Sequence, residues 1–123
     1  MSEIPGKVIM LDQIEAMFKD IQAQGQWDLS KTSVWSYYFT HATQKKLENT
    51  MIKLHEMGYT IGDIFLADKD NDTEEDVYFL HVEKVEIHDC VSLDKRNDEL
   101  YLFAHEQGLG SYDGMDVAPL EEE

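Results

Sequence analysis

Apolar residues recur along this chain in two alternating periods, one helical and one of strand type. Leu11, Ile14, Met17, Phe18 and Ile21 repeat at helical spacing, Asp12 and Glu15 are placed like a capping box, and Gly25 can stop the helix. The stretch Ser33–His41 is rich in β-branched and aromatic residues (Val34, Trp35, Tyr37, Tyr38, Phe39), which suit a pleated surface. A second helix is predicted over 43–57, with Thr43 as N-cap, Leu47, Met51 and Leu54 as its apolar stripe, and Gly58 as terminator. Strands are predicted over 59–67 and 77–88, joined by a polar run. Ser92 is placed to cap a third helix with Leu93, Leu100, Phe103 and Ala104 facing inward and Gly108 at its end. A last short strand covers 112–117.

After the first helix the order is therefore β-α-β-β-α-β. Two split βαβ units in that order make a ferredoxin-like α+β sandwich, an antiparallel sheet with helices on one face. The segments 55–59 and 105–109 both read His-Glu-X-Gly-apolar, each ending a helix before a strand, in keeping with a repeated unit or with two uses of the same glycine stop. Residues 1–30 are expected to form an N-terminal helical extension packed on the domain, 31–119 the domain itself and 120–123 an acidic tail.

A chain of 123 residues reads as one domain, able to bury roughly two thirds of its unfolded surface without disulfides or a structural metal. One cysteine, Cys90, excludes an internal disulfide and fits a reducing, cytoplasmic setting. The start has no secretory pattern and no apolar run is long enough for a membrane span.

Charge changes the picture more. Residues 1–58 hold 7 acids and 6 bases, while 59–123 hold 19 acids and 4 bases, so nearly all of the net −16 lies in the second half. Such a surface repels a phosphate backbone and attracts basic proteins; direct nucleic-acid binding is disfavoured. Acidity that serves solubility alone is the other reading.

Several motifs suggest chemistry and fall short of it. Asp68, Asp70, Asp72 and Asp76 match EF-hand loop positions, but Thr73 stands where glycine is needed and Phe79 where a bidentate Glu is needed. The five histidines show no metal-ligand spacing; His81 and His88 fall on opposite faces of the third strand, and His55 and His105 occupy last helical turns. Cys90 follows His88 and Asp89 ahead of a helix N-terminus, where a thiol can become acidic, yet no oxyanion-hole signature accompanies it. No cofactor, metal or catalytic residue is expected. Trp35, Tyr37 and Phe39 share one strand face, with Tyr78 and Phe79 on the third strand; they fit a stacking platform, a protein contact or simply a core.

The stretch 82–119 carries a family likeness. It contains the strand VEKVEIH, the helix start Ser92-Leu93 with Arg96-Asn97, and the element Tyr112-Asp113-Gly114. Together these resemble the domain of regulator of ribonuclease activity B, the bacterial ribonuclease E inhibitor. The likeness extends more loosely to the aromatic strand and second helix, and residues 1–28 are not clearly part of it. The resemblance implies a ferredoxin-like fold and a non-catalytic regulator that binds a partner protein, with ribonuclease E as the implied partner. The expected contact residues are Trp35, Tyr37, Phe39, Glu83, Glu86, Tyr112, Asp113 and Asp116; a homodimer stays open. Two other classes remain: an acidic antitoxin or immunity protein facing a basic toxin, and a small-ligand domain or enzyme with a pocket near Tyr112, Asp113 and Glu83.

Overall fold

The structure, a computed structural model, describes residues 4, 6–25, 31–67 and 75–119. Over these residues it is an α+β fold with three helices and four strands: α1 (Leu11–Gln24), β1 (Ser33–His41), α2 (Gln44–Glu56), β2 (Thr60–Leu66), β3 (Tyr78–Glu86), α3 (Cys90–Glu106) and β4 (Ser111–Pro119). The strands make one antiparallel sheet in the order β2-β3-β1-β4. Residues 68–74 of the EF-hand-like run and the expected acidic tail, 120–123, lie outside the described residues.

All three helices cover one face of the sheet. Trp35, Tyr37 and Phe39 from β1 and Leu80 and Val82 from β3 join Ile14, Leu47, Leu54, Leu93 and Leu100 in a single core, and Phe18 of α1 stacks on Trp35 at 6.1 Å. Period-two alternation then sends Val34, Ser36 and Tyr38 of β1 and Phe79, His81, Glu83 and Val85 of β3 to the other face. Helix α1 is tied in through the segment before it. Lys7 bridges Asp94 and Asp98 of α3 at 3.1 and 2.6 Å, and the Tyr101 hydroxyl accepts from the Ile9 N–H at 3.1 Å.

The helix starts differ from the expected ones in instructive ways. α1 begins at Leu11, where the Gln13 side chain, rather than Asp12 or Glu15, accepts the Met10 N–H at 2.7 Å. Thr43 is the N-cap of α2 by backbone shape, but its side chain caps nothing and its N–H donates to His41 Nδ1 at 3.0 Å. In α3 the cap is Asp89. Its carboxylate accepts the Ser92 N–H at 2.7 Å while Ser92 Oγ accepts the Asp89 N–H at 2.9 Å, so Ser92 is the third helical residue of a reciprocal box.

These hydrogen bonds to Ser92 lower the Asp89 carboxyl's pKa below its ordinary value. A depressed folded-state pKa gives stability that is present above the unfolded pKa and lost as pH falls through the folded one. Acid titration below about pH 4 should therefore loosen the start of α3. Asp89→Asn, which keeps a capping oxygen but cannot titrate, should flatten that part of the acid-unfolding curve followed by circular dichroism.

Two glycines have no substitute. In β4, Tyr38 pairs with Gly114 and Phe39 with Tyr112, so Asp113 is an unpaired bulge residue, and Gly114 takes φ 123, a conformation that L side chains rarely adopt. In β2, register shifts between Ile61 and Ile64, and a Cβ on Gly62 would meet His81 Nδ1 at 2.6 Å and the His81 carbonyl oxygen at 2.9 Å. A bare backbone lets β2 pass the imidazole.

Candidate functional site

The sheet offers two sites of very different kind. On the helix-covered face, β3 ends in Glu86, which the pleat turns inward beside residues of α3. Arg96 Nη2 donates to Glu86 Oε2 at 2.8 Å, and Arg96 Nη1 donates to the Tyr59 hydroxyl at 3.1 Å. The Tyr37 hydroxyl donates to Glu86 Oε1 at 3.1 Å, and His88 Nε2 lies 3.0 Å from the same oxygen. His88 Nδ1 meets Ser92 Oγ at 3.0 Å, and the indole N–H of Trp35 donates to the Glu86 carbonyl. Burial, then the Glu86 carboxylate, pushes the Tyr37 phenol far above its ordinary pKa, so it stays a donor. Burial pulls Arg96 down, but Tyr59, Glu86 and Tyr37 outweigh it and hold the guanidinium above its ordinary value. A cation, an anion and four aromatic partners thus lock β1, β3 and α3 together.

A second interior link joins α3 to β4. The Tyr112 hydroxyl donates to Asn97 Oδ1 at 2.6 Å, with both side chains buried, and the Asn97 amide points at the Met115 sulfur at 3.6 Å. Tyr112→Phe leaves Asn97 Oδ1 without that donor, and should cost about 1–2 kcal/mol of folding stability in urea titrations, with helix content unchanged. Cys90 opens α3, but burial followed by Glu15 and Asp89 raises its thiol pKa, so a helix N-terminus does not make it a thiolate here.

Among the described residues, no helix covers the other sheet face. Its cross-strand rows follow from register: Phe65–Phe79, then His81–Tyr38–Gly114, then Thr60–Glu83–Ser36–Asp116, then Val85–Val34–Ala118. Phe65 stacks on Phe79 at 5.4 Å and Tyr38 on His81 at 5.1 Å. His81 Nε2 meets Ser36 Oγ at 3.1 Å, and the imidazole lies 3.4 Å from Asp63 and 3.9 Å from Glu83. Among the described residues, no three His, Cys, Asp or Glu side chains converge as metal ligands, and no helix is long and apolar enough to cross a membrane.

All three helices and the sheet as far as Val117 in β4 lie inside one family match. The family model for regulator of ribonuclease activity B covers residues 11–117. The chain belongs to that family. A search of the curated proteins finds no match.

For this member of the regulator of ribonuclease activity B family, the match begins at Leu11 and takes in α1. The expected likeness, which left residues 1–28 aside, was drawn too short because α1 lacks a distinctive motif and shows only helical spacing. The residues that carried the likeness are largely structural: Arg96 holds Glu86, Asn97 holds Tyr112, and Ser92 completes the cap of α3.

The expected contact residues do not form one patch. Trp35, Tyr37 and Phe39 are 0% exposed and belong to the core, and Tyr112 is buried with them. Glu86 is inside the Arg96 network, Asp113 is exposed on the bulge, and only Glu83 and Asp116 share the open face, on either side of Ser36. Glu83 and Glu86 differ in strand parity, so the pleat separates them. Sequence reasoning missed Tyr38, His81, Asp63, Phe65 and Val85 as companions. Alternation could have found the β1 and β3 members, but the bulge in β2 and the order of the strands could not be read that way. Beside Tyr112 lies a small cleft of about 120 Å³, lined by Tyr101, His105 and Gly110 among others, and its lining includes neither Asp113 nor Glu83.

Proposed function

We propose that this protein is a non-catalytic regulator that binds a ribonuclease, with ribonuclease E as the specific target, and thereby slows RNA decay. The family match over residues 11–117 carries this reading. The concentration of 19 acids against 4 bases in residues 59–123 supports a basic protein partner over RNA itself. The strand order β2-β3-β1-β4, with α2 and α3 each passing over one intervening strand, supports a ferredoxin-like sandwich over 31–119 with α1 as an added helix. Such a regulator would act in the cytoplasm, and the single free cysteine is in keeping with that reducing setting.

The test is affinity capture of purified ribonuclease E by the full chain at moderate salt. Retention that weakens as salt rises is the expected result. Absence of retention at low salt would remove ribonuclease E as the target.

A further inference from the structure

We infer that the open sheet face is the docking surface, and that its occupant is an arginine-bearing basic segment of the partner protein. This rests on the regulator reading above and adds the face, the chemistry and the residues. Tyr38 and His81 form a stacked platform with rings 14° from parallel. Carboxylates stand around it: Asp63 and Glu83 beside His81, and Asp116 across Ser36 from Glu83. Apolar side chains border the platform on both sides, with Phe65 41% exposed at one end and Val85 55% exposed at the other. No described sheet position on this face is Lys or Arg; Lys84 has the opposite parity and lies over the Tyr59 ring on the helix side.

The chemistry selects the guest. An aromatic plane rimmed by carboxylates suits a guanidinium, which can stack and still hydrogen-bond at its edge, better than an ammonium, a compact and strongly hydrated charge. The same carboxylates repel a phosphate backbone, so stacked bases are the wrong occupant despite the exposed rings. Flanking Phe65, Phe79, Val34 and Val85 would bury apolar neighbours of the arginine in the partner segment.

The test uses the full chain and fluorescent oligoarginine, oligolysine and single-stranded RNA probes, with sedimentation to follow self-association. Wild type should bind oligoarginine more tightly than oligolysine and leave RNA free. Glu83→Gln with Asp116→Asn, and separately Tyr38→Ala, should each weaken oligoarginine binding roughly tenfold. Glu56→Gln with Glu106→Gln, which removes equal charge from exposed helix ends, should change it little. Equal loss in both charge pairs, no arginine preference, RNA binding, or dimerisation abolished by the face variants would overturn the inference. Ribonuclease E capture separates the two levels. If wild type and the Glu83/Asp116 variant capture the enzyme equally, the face is wrong and the regulator reading stands. If neither captures it while oligoarginine binding follows the face variants, the ribonuclease reading fails and the face stands.

Discussion

Trp35→Ala should lower the unfolding free energy by about 4 kcal/mol, the largest effect expected of any single substitution in this protein. Trp35 is fully buried, stacks on Phe18, meets the His88 ring edge-on at 5.2 Å, and donates to the Glu86 carbonyl. Truncation therefore opens a cavity between α1, the sheet and the start of α3, and leaves a carbonyl short of a donor. Small domains have only about 5–15 kcal/mol in total, so the variant should be partly unfolded at 37 °C in urea or thermal titrations. Trp35→Phe keeps most of the volume and should cost markedly less. The comparison separates two roles that strand-type alternation left open: a surface anchor would lose binding at unchanged stability, whereas a core residue loses stability first.

Breaking the interior ion pair from its two sides should give unequal results. Glu86→Ala strips Arg96 of its best anion and removes the acceptor used by Tyr37 and His88, and should cost about 3 kcal/mol. Arg96→Met should cost less. Glu86 would keep Tyr37 and His88 as partners, and the change removes a cation whose Nε is buried without a hydrogen-bond partner among the described residues. Both groups retain some exposure, 16% for Glu86 and 20% for Arg96, so water softens each loss. A double-mutant cycle by urea titration should show coupling between the two positions. Equal single costs with no coupling would mean that the pair is not what binds β3 to α3.

The element order was legible because long apolar periods survive any tertiary detail; all three helices and four strands stand where spacing puts them. Helix starts were harder. Asp89 and Ser92 are both good capping residues three positions apart, and only the backbone around Asp89 decides which is the cap. Trp35, Tyr37 and Phe39 evidently share a face, but alternation alone does not say that helices cover it; the more polar Ser36 and Tyr38 between them were the available clue. Burial of Glu86 was out of reach, since a glutamate enters an interior only when its partners come too, and Tyr37 is 49 positions away. The pairing of Glu83 with Asp116 across Ser36 likewise depends on strand order, which single-strand patterns do not contain.

Cleavage of a defined RNA by purified ribonuclease E, followed while this protein is titrated in, tests the central claim most directly. The account predicts that the initial rate falls, saturates as the complex fills, and recovers when salt is raised. A rate that stays unchanged at every concentration would contradict it.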